Sequence, residues 1–379
     1  MDFFSSDARP APQAAGKLSE VLKERGYIYQ HTGELGDVTD GPKRTLYLGI
    51  DPTADSMHVG HFMGLLVMRR FLENGHKIIL LTGGGTGMIG DPGGKSDERN
   101  LLDATTARIN SKAVAKQIRQ VFGSSSFIEE NNAKWLTKIN LLEFLRDIGK
   151  HFTVNSMIKK DTVKTRLDAE SPMSFTEFSY SLLQGYDFLH LNKEYGCDLQ
   201  VGGSDQWTNI LSGVEFIRRK TGKTVHAFTW PLVINKSSGK KFGKSEGGAV
   251  WLDAQKTSVF DFYQFWINSS DADVEEYLLK MTLMPKNDID TVMEEQRSNP
   301  AGRVAQRKLA WEVTSLVHGT SEAGKARDAS EALFAGRVPE GMPSVAGGKL
   351  REVVAGISTS ELRRLVDAGA VSYLDSGEK

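Results

Sequence analysis

The chain has 379 residues, 39% of them apolar, and its 47 basic and 48 acidic side chains leave a formal net charge of −1. That length exceeds one ordinary core and suits two domains with an appendage, while near-neutral charge confines any nucleic-acid contact to local basic patches. A lone cysteine, Cys197, excludes an internal disulfide framework and a zinc ligand set and fits a reducing compartment.

The opening Met1-Asp2-Phe3-Phe4 lacks the basic and apolar regions of a signal peptide. No apolar run reaches the roughly 20 residues that span a bilayer, so the expectation is a cytoplasmic protein without membrane contact. Residues 1–43 are polar, with one amphipathic stretch at 18–25. The pattern then predicts a strand at 44–50, a loop at 51–57 and a helix at 58–73 that Asp55 or Ser56 caps and Gly75 ends. A buried strand at 77–81 runs into Thr82-Gly83-Gly84-Gly85-Thr86-Gly87, which makes the first 90 residues a βαβ unit.

Residues 105–195 read as mostly helical, including 175–194. A second strand-helix unit follows, with a strand at 197–201, the turn Gly202-Gly203-Ser204-Asp205 and a helix at 206–220, and 225–234 reads as a further strand. Sheet segments on both sides of a helical block imply an α/β, doubly wound, mostly parallel nucleotide-binding sheet at 44–234 with a helical insertion at about 105–195. A loop and linker at 235–257 lead to an all-helical domain at 258–335, and the Gly- and Pro-rich stretch 336–348 reads as a linker to the tail at 349–379.

Two motifs carry chemistry. In His58-Val59-Gly60-His61 the histidines lie three apart at a helix start, on one face, where a helix N-terminus gathers donors for phosphate, and Gly60 leaves room for a nucleotide to approach the backbone. Roughly 180 residues later, Lys240-Lys241-Phe242-Gly243-Lys244-Ser245 offers ammonium groups on a Gly-flanked segment suited to closing on a polyphosphate. Taken singly, the first is a pair of helix-start histidines and the second a solvated basic turn; taken together, they point to a nucleotide site built from two distant parts of the chain.

These residues resemble the class I aminoacyl-tRNA synthetases, and within them the bacterial tyrosyl-tRNA synthetases. The likeness runs over about residues 40–335 through six ordered blocks: Tyr47-Leu48-Gly49-Ile50-Asp51-Pro52-Thr53-Ala54-Asp55-Ser56, the histidine tetrad, 83–92, Phe175-Thr176-Glu177-Phe178-Ser179-Tyr180, Gly202-Gly203-Ser204-Asp205-Gln206-Trp207 and the lysine loop. The resemblance implies that L-tyrosine and ATP form tyrosyl-adenylate and pyrophosphate, that the tyrosyl group then passes to the 3′ end of tRNA(Tyr), and that the protein pairs as a homodimer. It places Thr53, His58, Lys241 and Lys244 at the β and γ phosphates, His61 and Gly60 beside the nucleotide, Gly49, Asp51 and Asp205 at the ATP, and Lys95 and Arg99 in a second clamp. Tyr47 and Asp187 would read the substrate hydroxyl, Asp91, Tyr180 and Gln184 its ammonium, and Gln206 its main-chain atoms. Tyr180, Gln184 and Asp187 are three or four apart, so a helix turns them to one side.

Mg²⁺ is implied as the ATP counterion, with no protein-bound metal and no DNA partner. Leu48, where some relatives carry a polar or thiol side chain, receives no role. The tail from Ser358 to Ser372 resembles the first half of an S4-like RNA-binding module, either truncated or degenerate. Basic spots at 218–220, 297–308 and 363–364 suit tRNA phosphates or ordinary solvated helix faces. Competing readings are a tryptophanyl-tRNA synthetase, whose first motif usually ends in Asn where this chain has His61; a catalytically retired paralogue that binds structured RNA; and a small nucleotidyltransferase.

Overall fold

The computed structural model describes residues 16–93, 101–123, 125–236, 242, 244–245, 248–337 and 363. Six strands form its main sheet: β1 (Gln30–His31), β2 (Thr45–Ile50), β3 (Lys77–Thr82), β4 (Ile128–Asn131), β5 (Leu199–Gly203) and β6 (His226–Trp230), in the spatial order β1-β6-β5-β2-β3-β4. All neighbours run parallel except the edge strand β1, which is antiparallel to β6. The apolar runs Leu46-Tyr47-Leu48 and Ile78-Ile79-Leu80-Leu81 are buried, as strands covered on both faces require. From β2 the chain builds outward in one direction to β3 and β4, then returns to build β5 and β6 in the other, so the strand order reverses between β2 and β5.

Two of these strands fall outside the sequence reading. β1 lies in the stretch read as a polar N-terminal segment, and β4 lies inside the stretch read as mostly helical. Helices at Val59–Glu73, Ala104–Phe122, Phe175–Tyr195 and Trp207–Thr221 flank the sheet. The Phe175–Tyr195 helix starts where Ser174 Oγ accepts from the Glu177 N–H and ends at Gly196, whose φ of 66° is the left-handed cap that glycine adopts at little cost.

The cap of the Val59–Glu73 helix differs from expectation. Ser56 is buried and its hydroxyl takes the Gln117 amide at 2.8 Å, while Gln117 Oε1 accepts the Met57 N–H at 2.8 Å. His58 caps instead, its Nδ1 accepting from the Gly60 N–H at 3.0 Å.

The helices from residue 258 up to Ala323 fall in one compact unit with the sheet, and the second unit of the chain begins at Gly324. Arg25 joins the N-terminal segment to the Val274–Met281 helix and the turn after it: its guanidinium donates to the carbonyls of Leu279 (2.7 Å), Thr282 (3.0 Å) and Met284. The Tyr27 hydroxyl donates to Lys280 O at 2.7 Å. The expected S4-like segment at 358–372 lies outside the described residues apart from Arg363.

Gly64 sets how closely the Val59–Glu73 helix lies on the sheet, because a Cβ there would come 2.9 Å from Trp230 Cζ2 and 3.4 Å from Leu48 Cδ2. Gly64→Val should therefore lower the unfolding free energy by about 1–3 kcal/mol, as overpacking of a filled core does. Urea denaturation with an unchanged midpoint would contradict this close approach.

Candidate active site

Where β2 and β5 part, their carboxyl ends open into a cleft of about 470 Å³. Thirteen of the residues singled out from the sequence line it. β2 and the loop after it supply Tyr47, Gly49, Asp51 and Thr53; the histidine tetrad supplies His58, Gly60 and His61; and the turn beyond β3 supplies Asp91. The Phe175–Tyr195 helix turns Tyr180, Gln184 and Asp187 toward it, and the start of the second strand-helix unit adds Asp205 and Gln206. Lys95, Arg99 and Lys241 lie outside the described residues, and of Lys244 only the backbone is described, paired with Ala249 in a short hairpin.

A continuous hydrogen-bond network runs along one wall. Asp51 accepts from the Tyr180 hydroxyl and from Thr86 Oγ1, each at 2.7 Å. Asn132 Nδ2 donates to Thr86 Oγ1 at 2.9 Å and to Asp187 Oδ2 at 2.8 Å, and Trp135 Nε1 donates to Asp187 Oδ1 at 2.7 Å. Burial pushes the Asp187 carboxyl up to about 7, against the pull of its Asn132 and Trp135 donors. Burial, reinforced by Asp51 and Asp91, likewise holds the Tyr180 phenol well above its ordinary range, so it stays a donor.

Nearby, Gln206 Nε2 donates to Asp91 Oδ2 at 2.7 Å and Asp91 Oδ1 accepts from the Gly93 N–H at 2.9 Å. Three buried atoms of cleft residues find no partner among the described residues: Tyr47 Oη, Gln184 Oε1 and Gln200 Oε1. Lining a cleft, these atoms are available to hydrogen-bond a ligand that enters it.

Thr86, Asn132, Trp135 and Gln200 escaped the sequence reading. Gln200 alone carried a signal, a polar residue inside the buried run Leu199-Gln200-Val201. The glycine run after β3 works by close approach: a Cβ on Gly83 would fall 1.9 Å from Asp51 Oδ1, and one on Gly84 2.4 Å from Asn131 Oδ1.

At the tetrad, both Nδ1 atoms accept backbone N–H groups, His58 from Gly60 at 3.0 Å and His61 from His58 at 3.3 Å. Each ring therefore carries its proton on Nε2 and presents it as a donor. Burial, with the neighbouring His58, lowers His61 to about 3, so it donates as a neutral imidazole.

The segment after the lysine loop is stitched to this tetrad. His58 and Trp251 form an antiparallel bridge, with Val59 N donating to Val250 O at 3.0 Å and Leu252 N to Met57 O at 2.8 Å. Phe242, inside the lysine loop, also lines the cleft, its carbonyl oxygen 3.8 Å from the point a Gly60 Cβ would occupy. Its ring packs on Phe265, Trp266 and Tyr277 with centroids 4.9–5.8 Å apart. The two distant motifs meet.

Residues 40–335 match the family model described as tRNA synthetases class I (W and Y). The chain belongs to this family. It is 48% identical over 323 residues to the tyrosine–tRNA ligase of Roseiflexus castenholzii, covering 84% of this chain and 76% of the relative. The crystal structure of a C-terminally truncated mitochondrial tyrosyl-tRNA synthetase from Aspergillus nidulans superposes with a TM-score of 0.76 at 33% identity, covering 84% of this chain and 95% of that one. A tryptophanyl-tRNA synthetase from Encephalitozoon cuniculi, bound to tryptophan, reaches 0.58 at 16% identity over 82% of this chain and 88% of that one, a likeness of fold alone.

The Asp187 carboxyl is raised by burial and pulled back by two hydrogen-bond donors, Asn132 and Trp135. Asn132→Ala removes one of them, so the Asp187 carboxyl should titrate above about 7 in that variant, followed by carboxyl ¹³C NMR. A lower value would show that the Asn132 amide is not what opposes burial.

Proposed function

We infer that this chain is a tyrosine–tRNA ligase: it joins L-tyrosine to ATP, releasing pyrophosphate, and transfers the tyrosyl group from the adenylate to the 3′ end of tRNA(Tyr) for protein synthesis. The observation that carries the reading is the unpartnered Tyr47 hydroxyl, 1% exposed, in the same cleft wall as the Asp187 carboxyl. A para-hydroxyl satisfies both groups, whereas phenylalanine would leave them buried and unpaired. The bacterial relative at 48% identity supports the same choice over tryptophan.

The reaction follows from charge and position. The tyrosine carboxylate, ionised at neutral pH, attacks the α-phosphorus of ATP; a new P–O bond forms as the bond to the bridging oxygen breaks, and pyrophosphate leaves with the electron pair. The first step needs no general base. In our assignment Thr53, His58, Lys241 and Lys244 hold the β and γ phosphates, His61 and Gly60 support the nucleotide, Lys95 and Arg99 close a second clamp, and Asp205 takes the ribose near Gly49. The histidines act as N–H donors aimed at developing phosphate charge, His61 as a neutral imidazole.

Asp91, Tyr180 and Gln184 hold the ammonium, Gln206 the main-chain atoms, and Asp51, assigned with Gly49 to the ATP, also accepts from Tyr180 and Thr86. Mg²⁺ arrives as the counterion of ATP. Among the described residues no group of three His, Cys, Asp or Glu side chains is placed to hold a metal ion.

The proposal includes a homodimer and a cytoplasmic location, where the substrates of translation are found; no helix among the described residues is long and apolar enough to cross a membrane. Phe175 (75% exposed), Leu142 (74%) and Leu141 (70%) are exposed apolar side chains of the insertion, and the proposal assigns them to the contact with a second copy. The domain reading is kept as part of the proposal, with 258–335 as the tRNA-binding helices and 349–379 as a partial S4-like module. Arg218 and Arg219 are engaged by Glu215 at 2.7 and 2.5 Å and Arg297 by Glu275 at 3.0 Å, so tRNA would have to compete for these groups.

Three outcomes test this reading. Amino-acid-dependent pyrophosphate exchange should be strong with tyrosine and about a hundredfold or more weaker with phenylalanine, from hydrogen bonds left unmade to buried groups; equal rates would defeat the specificity assignment. Below pH about 7 Asp187 gains a proton and loses its pull on the substrate hydroxyl, so the KM for tyrosine should rise as pH falls through 7 and stay flat in Asp187→Asn. Phe175→Asp should yield monomers in sedimentation velocity, and an unchanged dimer would remove the insertion as the interface.

A further inference from the structure

Trp251 lies outside the cleft, yet the backbone places it directly opposite His58. The bonds flanking the pair, Val59 N to Val250 O and Leu252 N to Met57 O, make the two residues the non-hydrogen-bonded partners of an antiparallel bridge. That geometry brings cross-strand side chains closest together. The indole meets the His58 ring edge-on, with centroids 6.1 Å apart and planes at 69°, and the same imidazole lies 4.0 Å from the His61 ring. His58 therefore has one ring neighbour from its own helix start and one from the segment that follows the lysine loop.

Trp251 is itself held, at its backbone N–H by Thr257 and at its ring by Lys256. Trp251 N donates to Thr257 Oγ1 at 3.0 Å, and the Lys256 ammonium stands 5.3 Å from the indole ring centre while pairing with Asp55 at 2.7 Å. Asp55 belongs to the loop that delivers His58, so the contact closes on the element it supports. The exposed ion pair adds little by itself, but it orients the ring that His58 packs against.

We propose that Trp251 is a positioning residue for phosphate binding by His58, fixing the imidazole through the bridge that joins the return arm of the lysine loop to the histidine tetrad. The inference rests on the reading of His58 as a phosphate ligand. An aromatic pair of this kind corresponds to a several-fold to tenfold effect. Trp251→Ala should lower kcat for tyrosine-dependent pyrophosphate exchange about tenfold and leave the KM for tyrosine within about twofold of wild type, and Trp251→Phe should recover most of the loss. In a His58→Ala background the same change should alter kcat by less than about twofold, because its target is gone.

Equal losses in both backgrounds would overturn the inference, and so would a raised tyrosine KM at unchanged kcat. A His58→Ala enzyme at the wild-type rate would instead overturn the phosphate reading and this inference with it. Trp251→Leu, carried through the same cycle, keeps the question decidable if the alanine variant does not fold.

Discussion

The reversal of strand order between β2 and β5 is the constraint from which the site descends. Chains that run outward in both directions leave a crevice at their carboxyl ends that no crossover helix covers, so the loops leaving β2 and β5 must face each other. Asp51 and Thr53 come from one side and Asp205 and Gln206 from the other, within a single cleft. The insertion then adds the wall that gives the crevice chemical selectivity, since Asp187 and its donors Asn132 and Trp135 lie on segments between β4 and β5.

The electrostatic character of that crevice is restrained. Its buried acid sits near the midpoint of its titration, its histidines are arranged as N–H donors, and Tyr180 is kept protonated. Recognition by such groups depends on direction more than on net charge, because each donor has one acceptor geometry that satisfies it.

Much of this was legible in the sequence, for physical reasons. β2, β3, β5 and β6 carry apolar runs because both faces are covered, and Tyr180, Gln184 and Asp187 share a face because the helix period dictates it. β4 was not legible: its sequence is Ile-Glu-Glu-Asn, and its acids are tolerated at the sheet edge because Glu129 pairs with Arg119 and Glu130 with Lys134. The wrong cap was chosen for the Val59–Glu73 helix because Ser56, a good capping residue by type, is engaged by Gln117 from another helix. Thr86, Asn132 and Trp135 were missed because each donates to a residue far away in sequence, and no local pattern marks such a pairing. The His58–Trp251 bridge belongs to the same class, a register set by tertiary contact alone.

The guanidinium of Arg25 reaches carbonyls 254 to 259 residues further along the chain. On a ribosome adding about 5–20 residues per second, that partner emerges on the order of tens of seconds after the arginine does. Arg25 thus waits for its anchor while more than 250 further residues are made, and the N-terminal segment is tied down only after the sheet that it edges has been synthesised.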